Sequence, residues 1–256
     1  MLEAVWENSY SRSLGKAYRK TDSPQHESFS KKLSDTNDAG YRSAYDAAPT
    51  TAFGKQYTHL QMGDTGLAQL LAGLPDKHPN KALFLAHNNI TDQGLLLLAK
   101  QLQTDQIIQH LILSNNNIQV SEFAKAGMSD LLKINRTIGW LVFGHNNIHD
   151  QGLKNLGLAL KENSSVKHLV LSQNAFSDDG FCFLLDCVID HPTLESIFVA
   201  GNQLSDACLQ PLASFMKRSA FIKRIDIRGI NATASQLTKA QFQAKQHSVR
   251  LLFSDN

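Results

Sequence analysis

The sequence predicts an α/β solenoid built from about seven strand–turn–helix repeats, and three observations point there. One frame recurs along most of the chain: apolar, any residue, apolar, two free positions, Asn, one free position, apolar, then one position before Asp. It reads Leu83, Leu85, Asn88, Ile90, Asp92; Leu111, Leu113, Asn116, Ile118; Leu141, Phe143, Asn146, Ile148, Asp150; Leu169, Leu171, Asn174, Phe176, Asp178; and Ile197, Val199, Asn202, Leu204, Asp206. The first apolar positions, 83, 111, 141, 169, 197 and more weakly 225, are spaced by 28, 30, 28, 28 and 28 residues, the fixed period of a stacked repeat. Within each unit the periodicity changes, from alternation in the Leu-x-Leu stretch to helical spacing in Leu95/Leu98/Leu102 and Leu153/Leu156/Leu160.

The Leu-x-Leu stretch, preceded three residues earlier by Ile108, Ile138, Val166, Leu194 or Ile222, alternates as a short strand with one buried side does. The Asn sits where the chain leaves the strand. Its amide both donates and accepts, so Asn88, Asn116, Asn146, Asn174 and Asn202 are expected to stack as a buried ladder that satisfies the turn's backbone groups. Thr91-Asp92, His149-Asp150, Ser177-Asp178 and Ser205-Asp206 then read as helix N-caps, with the aspartates in the capping role.

At these residues the sequence resembles the leucine-rich repeat family, in the long-repeat form typified by ribonuclease inhibitor. The resemblance covers roughly residues 56 to 256. It implies a curved horseshoe segment with a parallel β-sheet on the concave face and helices on the convex face, a fold used most often to bind proteins.

Residues 1–52 lack the repeat and form a polar N-terminal segment, expected to be flexible or to cap the first repeat. It carries Trp6, Tyr10, Tyr18, Phe29, Tyr41 and Tyr45, with Phe53 just beyond, and Leu2, Val5, Trp6 and Leu14 hint at a short amphipathic helix. The repeat domain spans 53–256. Its first unit, a strand near Tyr57 and Met62–Leu74, is degenerate, as a terminal repeat with nothing to stack on tends to be. The third unit is two residues longer and replaces Asp-x-Gly with Gln119-Val-Ser-Glu-Phe123, so its helix should start near Ser121 and the outer surface should bulge. Cys208 takes the place of the usual Gly in the sixth. The seventh, Arg224–Asn231, has Ile230 where the ladder Asn belongs; a helix around Ser235–Gln246 and a closing strand at Val249–Phe253 follow, with Arg250, Ser254 and Asp255 keeping that edge polar.

The formal charge of +2 over 256 residues gives no basic stripe and so no general case for nucleic acid. Cys182, Cys187 and Cys208 are odd in number and unpaired in spacing, which fits reduced, buried thiols. The first residues show no basic then apolar leader, and no apolar run approaches membrane-spanning length; the sequons at Asn89, Asn135, Asn163 and Asn231 read as coincidence. A monomer is expected, in the cytoplasm or, for an effector, secreted into the host-cell cytosol.

Residues between the buried leucines should face the concave side. They form a central column, Phe84, Ile112, Val142, Val170, Phe198 and Asp226, whose apolar members are expected to make an exposed stripe on strands roughly 4.8 Å apart. Before it run Ala82, His110, Trp140, His168, Ser196 and Arg224; after it, Ala86, Ser114, Gly144, Ser172, Ala200 and Arg228. Trp140 between two histidines reads as the binding hot spot, and Arg224, Asp226, Arg228 and Arg250 as a charged rim. His110 and His168, like His87 and His145, are two repeats apart, roughly 10 Å on strand spacing, too far to share one metal ion. With no nucleophile elbow or cysteine-catalysis signature, no enzyme activity, metal or cofactor is expected.

The function these residues suggest is a non-enzymatic protein-interaction module that binds a protein partner through the concave face. The polar N-terminal segment with a short solenoid resembles leucine-rich-repeat effectors that intracellular bacteria such as Legionella deliver into host cells, which implies virulence and host proteins as partners. Two alternatives share this repeat form: a regulator of a small GTPase, resembling Ran GTPase-activating proteins, and a substrate adaptor of a ubiquitin ligase.

Overall fold

The computed structural model describes residues 54–73 and 81–253. The segment expected at 1–52, with its aromatic residues, lies outside the described residues, as do Ser254 and Asp255.

Eight three-residue strands pair in parallel in chain order: β1 (Gly54–Gln56), β2 (Ala82–Phe84), β3 (His110–Ile112), β4 (Trp140–Val142), β5 (His168–Val170), β6 (Ser196–Phe198), β7 (Arg224–Asp226) and β8 (Arg250–Leu252). Between them lie α1 (Gly63–Ala72), α2 (Asp92–Leu102), α3 (Glu122–Ile134), α4 (Asp150–Leu160), α5 (Asp178–Cys187), α6 (Leu209–Arg218) and α7 (Ala234–Gln246). A 3₁₀ turn, Asp206–Cys208, leads into α6. The sequence period becomes the register: Leu83 faces Leu111, Leu111 faces Leu141, and Leu141 faces Leu169.

One continuous core fills the space between sheet and helices. Leu83, Leu85, Ile90, Leu95, Leu98 and Leu102 of one repeat meet their equivalents in the next, and each buried leucine of this kind stabilises the fold by roughly 1.5–3 kcal/mol. Burying a three-residue strand leaves backbone groups at its end unpaired, and the asparagines satisfy them. The Asn146 amide nitrogen donates to the carbonyls of Leu113, Phe143 and Gly144, while its oxygen accepts from the Ile118 N–H. Asn116, Asn174 and Asn202 repeat the pattern. Asn88 and Asn146 are buried, whereas Asn116, Asn174 and Asn202 keep partial exposure, so the ladder is less buried than expected.

The aspartates differ from the expectation. Thr91, Ser177 and Ser205 are the N-caps, each accepting from the backbone two residues on, and the aspartates are the first helical residues after them. Their carboxylates reach the following repeat instead. Asp150 accepts from the Ser177 N–H (2.7 Å), the Ser177 hydroxyl (2.8 Å) and the Gly180 N–H (3.1 Å). Asp64 binds Thr91, and Asp178 binds Ser205, in the same way. A carboxylate there meets unpaired N–H groups and the positive end of the neighbouring helix dipole, and it staples repeat to repeat. This close approach explains the Gly of the frame: a Cβ on Gly152 would fall 1.9 Å from the Gln119 carbonyl oxygen, and one on Gly180 2.5 Å from the Asp150 carboxylate.

The two extra residues of the third repeat lie in the turn between Asn116 and α3, where Val120 takes φ +54°. Asp92 holds that turn through the N–H groups of Gln119, Val120 and Ser121. Ser121 is the N-cap residue of α3, without a side-chain cap bond. The ladder ends at Ile230 as expected, and α7 begins instead with a reciprocal Thr233/Gln236 capping box. Asn135 and Asn163, noticed in the sequence only as sequons, form a second ladder where the chain returns from helix to strand. Asn135 donates to the Leu102 and Asp105 carbonyls and accepts from Thr137 and Ile138, and Asn163 does the equivalent.

Candidate functional site

The helices cover one face of the sheet, and the expected site residues lie together on the other, the concave face. The register sets His110 beside Trp140 and Trp140 beside His168, and likewise aligns Phe84, Ile112, Val142, Val170, Phe198 and Asp226. Trp140 stacks between the two imidazoles, with ring centroids 6.0 Å from His110 and 4.0 Å from His168. The indole therefore separates the histidines.

The stripe is not exposed. Phe84, Ile112, Val142, Val170 and Phe198 show only 0–3% of their surface and form, with Ala82 and Ala86, a second apolar cluster apart from the main core. Alternation in a sequence says which side chains share a face; it carries no information on what lies over that face. His110 and Ser196 are buried too, and Trp140, His168, Arg224 and Arg228 are half-buried.

Asp226 also differs from the expected open rim. It is fully buried and gripped by its neighbour: Arg228 Nε and Nη2 donate to its two carboxylate oxygens at 2.9 and 2.6 Å, and the Arg228 backbone N–H adds a third bond at 3.1 Å. A bidentate pair of this kind compensates much of the cost of burying the carboxylate. The signal was legible as Asp-x-Arg on one strand face. Arg224 spreads over the Phe198 ring, 5.2 Å from its centroid, so one arginine of the rim serves the apolar stripe.

Burial pushes the His168 imidazole down to about 4, with Glu195 opposing and Lys167, His110 and Lys223 assisting. Burial, then His59 and His145, lowers His87 to about 4 as well, and burial lowers His110. These rings are neutral at pH 7. The floor also holds polar atoms without partners: His110 Nδ1 and the buried hydroxyls of Ser114 and Ser172. His87 and His145 belong to a different column, the turn just past each strand, where they, Asn115 and Gln173 adopt φ of +53° to +58° and Gly201 and Gly229 follow.

The cysteines have no part in this face. Cys182 and Cys187 are half-buried on α5, Cys208 is buried in the 3₁₀ turn, and burial pushes all three thiols up, Cys208 most strongly, away from reactivity. Among the described residues no helix is long and apolar enough to cross a membrane.

The family described as Leucine Rich repeat matches residues 81–99 and 162–181. Human NACHT, LRR and PYD domains-containing protein 5 is 26% identical over 193 residues, covering 63% of this chain and 16% of that protein. Mouse NACHT, LRR and PYD domains-containing protein 4C is 29% identical over 189 residues, covering 61% and 18%. The chain thus spans less than a fifth of the length of these curated relatives. Among solved structures, leiomodin-1 actin-binding site 2 superposes with a TM-score of 0.42 at 11% identity, over 71% of this chain and 85% of that one, too distant to carry an argument.

Proposed function

We propose that this chain, an α/β leucine-rich repeat solenoid, is a non-enzymatic protein-interaction module that receives a protein partner on its concave face. The observation that carries the reading is the second apolar cluster, Phe84, Ile112, Val142, Val170 and Phe198 with Ala82 and Ala86. It is separate from the main core between the sheet and the helices. Beside this buried apolar column, Trp140, His168, Arg224 and Arg228 stay partly exposed on the same face, and Trp and Arg are the residue types that most often anchor a protein partner. Trp140, with His110 and His168 around it, supplies the aromatic anchor, and Arg224 and the Asp226–Arg228 pair supply polarity at the C-terminal end. The repeat length of 28 residues supports the ribonuclease-inhibitor-like form.

The test is a pull-down from eukaryotic lysate, comparing the wild type with a Trp140→Ala, Val142→Glu, Phe198→Glu variant whose circular dichroism is unchanged. A protein captured by the wild type and lost with the variant is the expected result; equal capture by both refutes the concave face as the site. The finer reading, an effector that meets host proteins, predicts that a reporter fusion reaches the cytosol of infected host cells.

A further inference from the structure

We infer that the groove between α6 and α7, on the helical side of the solenoid, binds an extended acidic peptide of a partner protein. The site is separate from the concave face and does not rest on the function proposed there.

The groove follows from how the last helix packs. Between central repeats a glycine lets neighbouring helices approach closely: a Cβ on Gly127 of α3 would fall 2.5 Å from Leu96 Cδ1 of α2. α7 has no glycine, and its buried residues are Ala240 and Ala244. Small side chains hold it against the solenoid while longer polar ones line the space beside them, which leaves an open groove of about 590 Å³ between the two helices. Gln236 Nε2 donates to the Asp206 carboxylate, so the one acid that lines the groove is already engaged.

The charge of this helix pair points to the ligand. α6 and α7 carry Lys217, Arg218, Lys239 and Lys245 and no acidic residue, whereas α5 carries Asp178, Asp179 and Asp186 and no basic one. Lys217 and Lys239 both line the groove, and among the described residues neither has an ion pair or a side-chain hydrogen bond. Lys217 lies in the last turn of α6, where the helix dipole favours a cation, but Lys239 is near the middle of α7, where it does not. Two like charges lining one cleft repel each other, and an anionic ligand between them relieves the repulsion.

The amides give the ligand its class. Gln210, Gln243 and Gln246 line the same groove, and each side chain both donates and accepts, matching the backbone of an extended peptide. Among the described residues no Phe, Tyr or Trp lines it, so it offers no such ring for a nucleic-acid base to stack on. Leu209, Ala213 and Ala240 supply an apolar part of the lining for the peptide's uncharged side chains. The 10 residues of α6 run roughly 15 Å, which an extended peptide spans with about five residues.

Fluorescence anisotropy of the full-length protein with a fluorescein-labelled hexapeptide of alternating Glu and Ala tests this. Saturable binding is expected, weakened about tenfold or more by Lys217→Glu with Lys239→Glu and by a smaller factor by Gln243→Ala, with far-ultraviolet circular dichroism unchanged. Lys100→Glu with Lys161→Glu changes the net charge equally but alters no lining residue, and should leave binding intact. An equal loss in that variant overturns the proposal, because the peptide then responds to overall charge. Trp140→Ala should bind as the wild type does; a loss there moves the peptide to the concave face and overturns the proposal while supporting that face as a binding surface. Failure of the Glu peptide to bind saturably also overturns it, as does binding no tighter than that of a thymidine oligonucleotide or of vesicles containing phosphatidylserine.

Discussion

Replacing Asn146 by Ala should cost about 3 kcal/mol, and the figure follows from which groups lose their partners. The three carbonyls that receive its amide keep another donor each: Leu113 from Asn116, Phe143 from Asn174, and Gly144 from the Asn115 N–H. The Ile118 N–H loses its partner, since it donates to Asn146 Oδ1 at 3.0 Å and Ile118 is fully buried. One stranded buried donor costs about 1–3 kcal/mol, and the loss of the shared bonds adds about 1. For a solenoid of this size that corresponds to a fall in Tm of roughly 6–12 °C. Urea unfolding followed by circular dichroism measures it, with Asn147→Ala, an exposed neighbour, as control. Asn146→Asp retains the acceptor but loses the donor and faces three carbonyls with a carboxylate, so it should unfold more readily than the Ala variant. If Asn146→Ala and Asn147→Ala unfold within about 0.5 kcal/mol of each other, the amide ladder contributes little and the reasoning is refuted.

Asp150→Ala should lower stability by about 2 kcal/mol and act between repeats: hydrogen exchange at the Ser177 and Gly180 amides should accelerate while the α2 amides hold, and uniform acceleration would count against a repeat-to-repeat staple. Stability should also fall with acid. His87, His168 and His191, each held to about 4 by burial first, stay neutral in the folded chain while the unfolded chain takes up protons near 6.5. Their contribution is therefore complete above pH 6.5 and is lost as pH drops from 6.5 toward 4, by about 1 kcal/mol per histidine after allowance for solvent screening. A urea midpoint that does not change between pH 7 and pH 4.5 would contradict this.

The repeat, its period and the identity of each layer were legible in the sequence because they depend on local chemistry. A side-chain period of two marks a strand, a period near 3.6 marks a helix, and an Asn at the exit of each strand must satisfy the turn it sits in. Strand order followed as well, since each stacked repeat can pair only with its neighbours, and the concave columns came with it. Tertiary structure decided what each polar group touches. The aspartates looked like caps of their own helices, yet their partners lie 27 to 30 residues away, a distance that local pattern cannot resolve. The sequence placed Asp226 on an open rim, while its burial and bidentate pairing depend on how Arg228 folds back along the strand face. The largest departure is the apolar stripe: its membership was set by alternation along each strand, whereas its burial is a property of the folded chain that alternation does not encode.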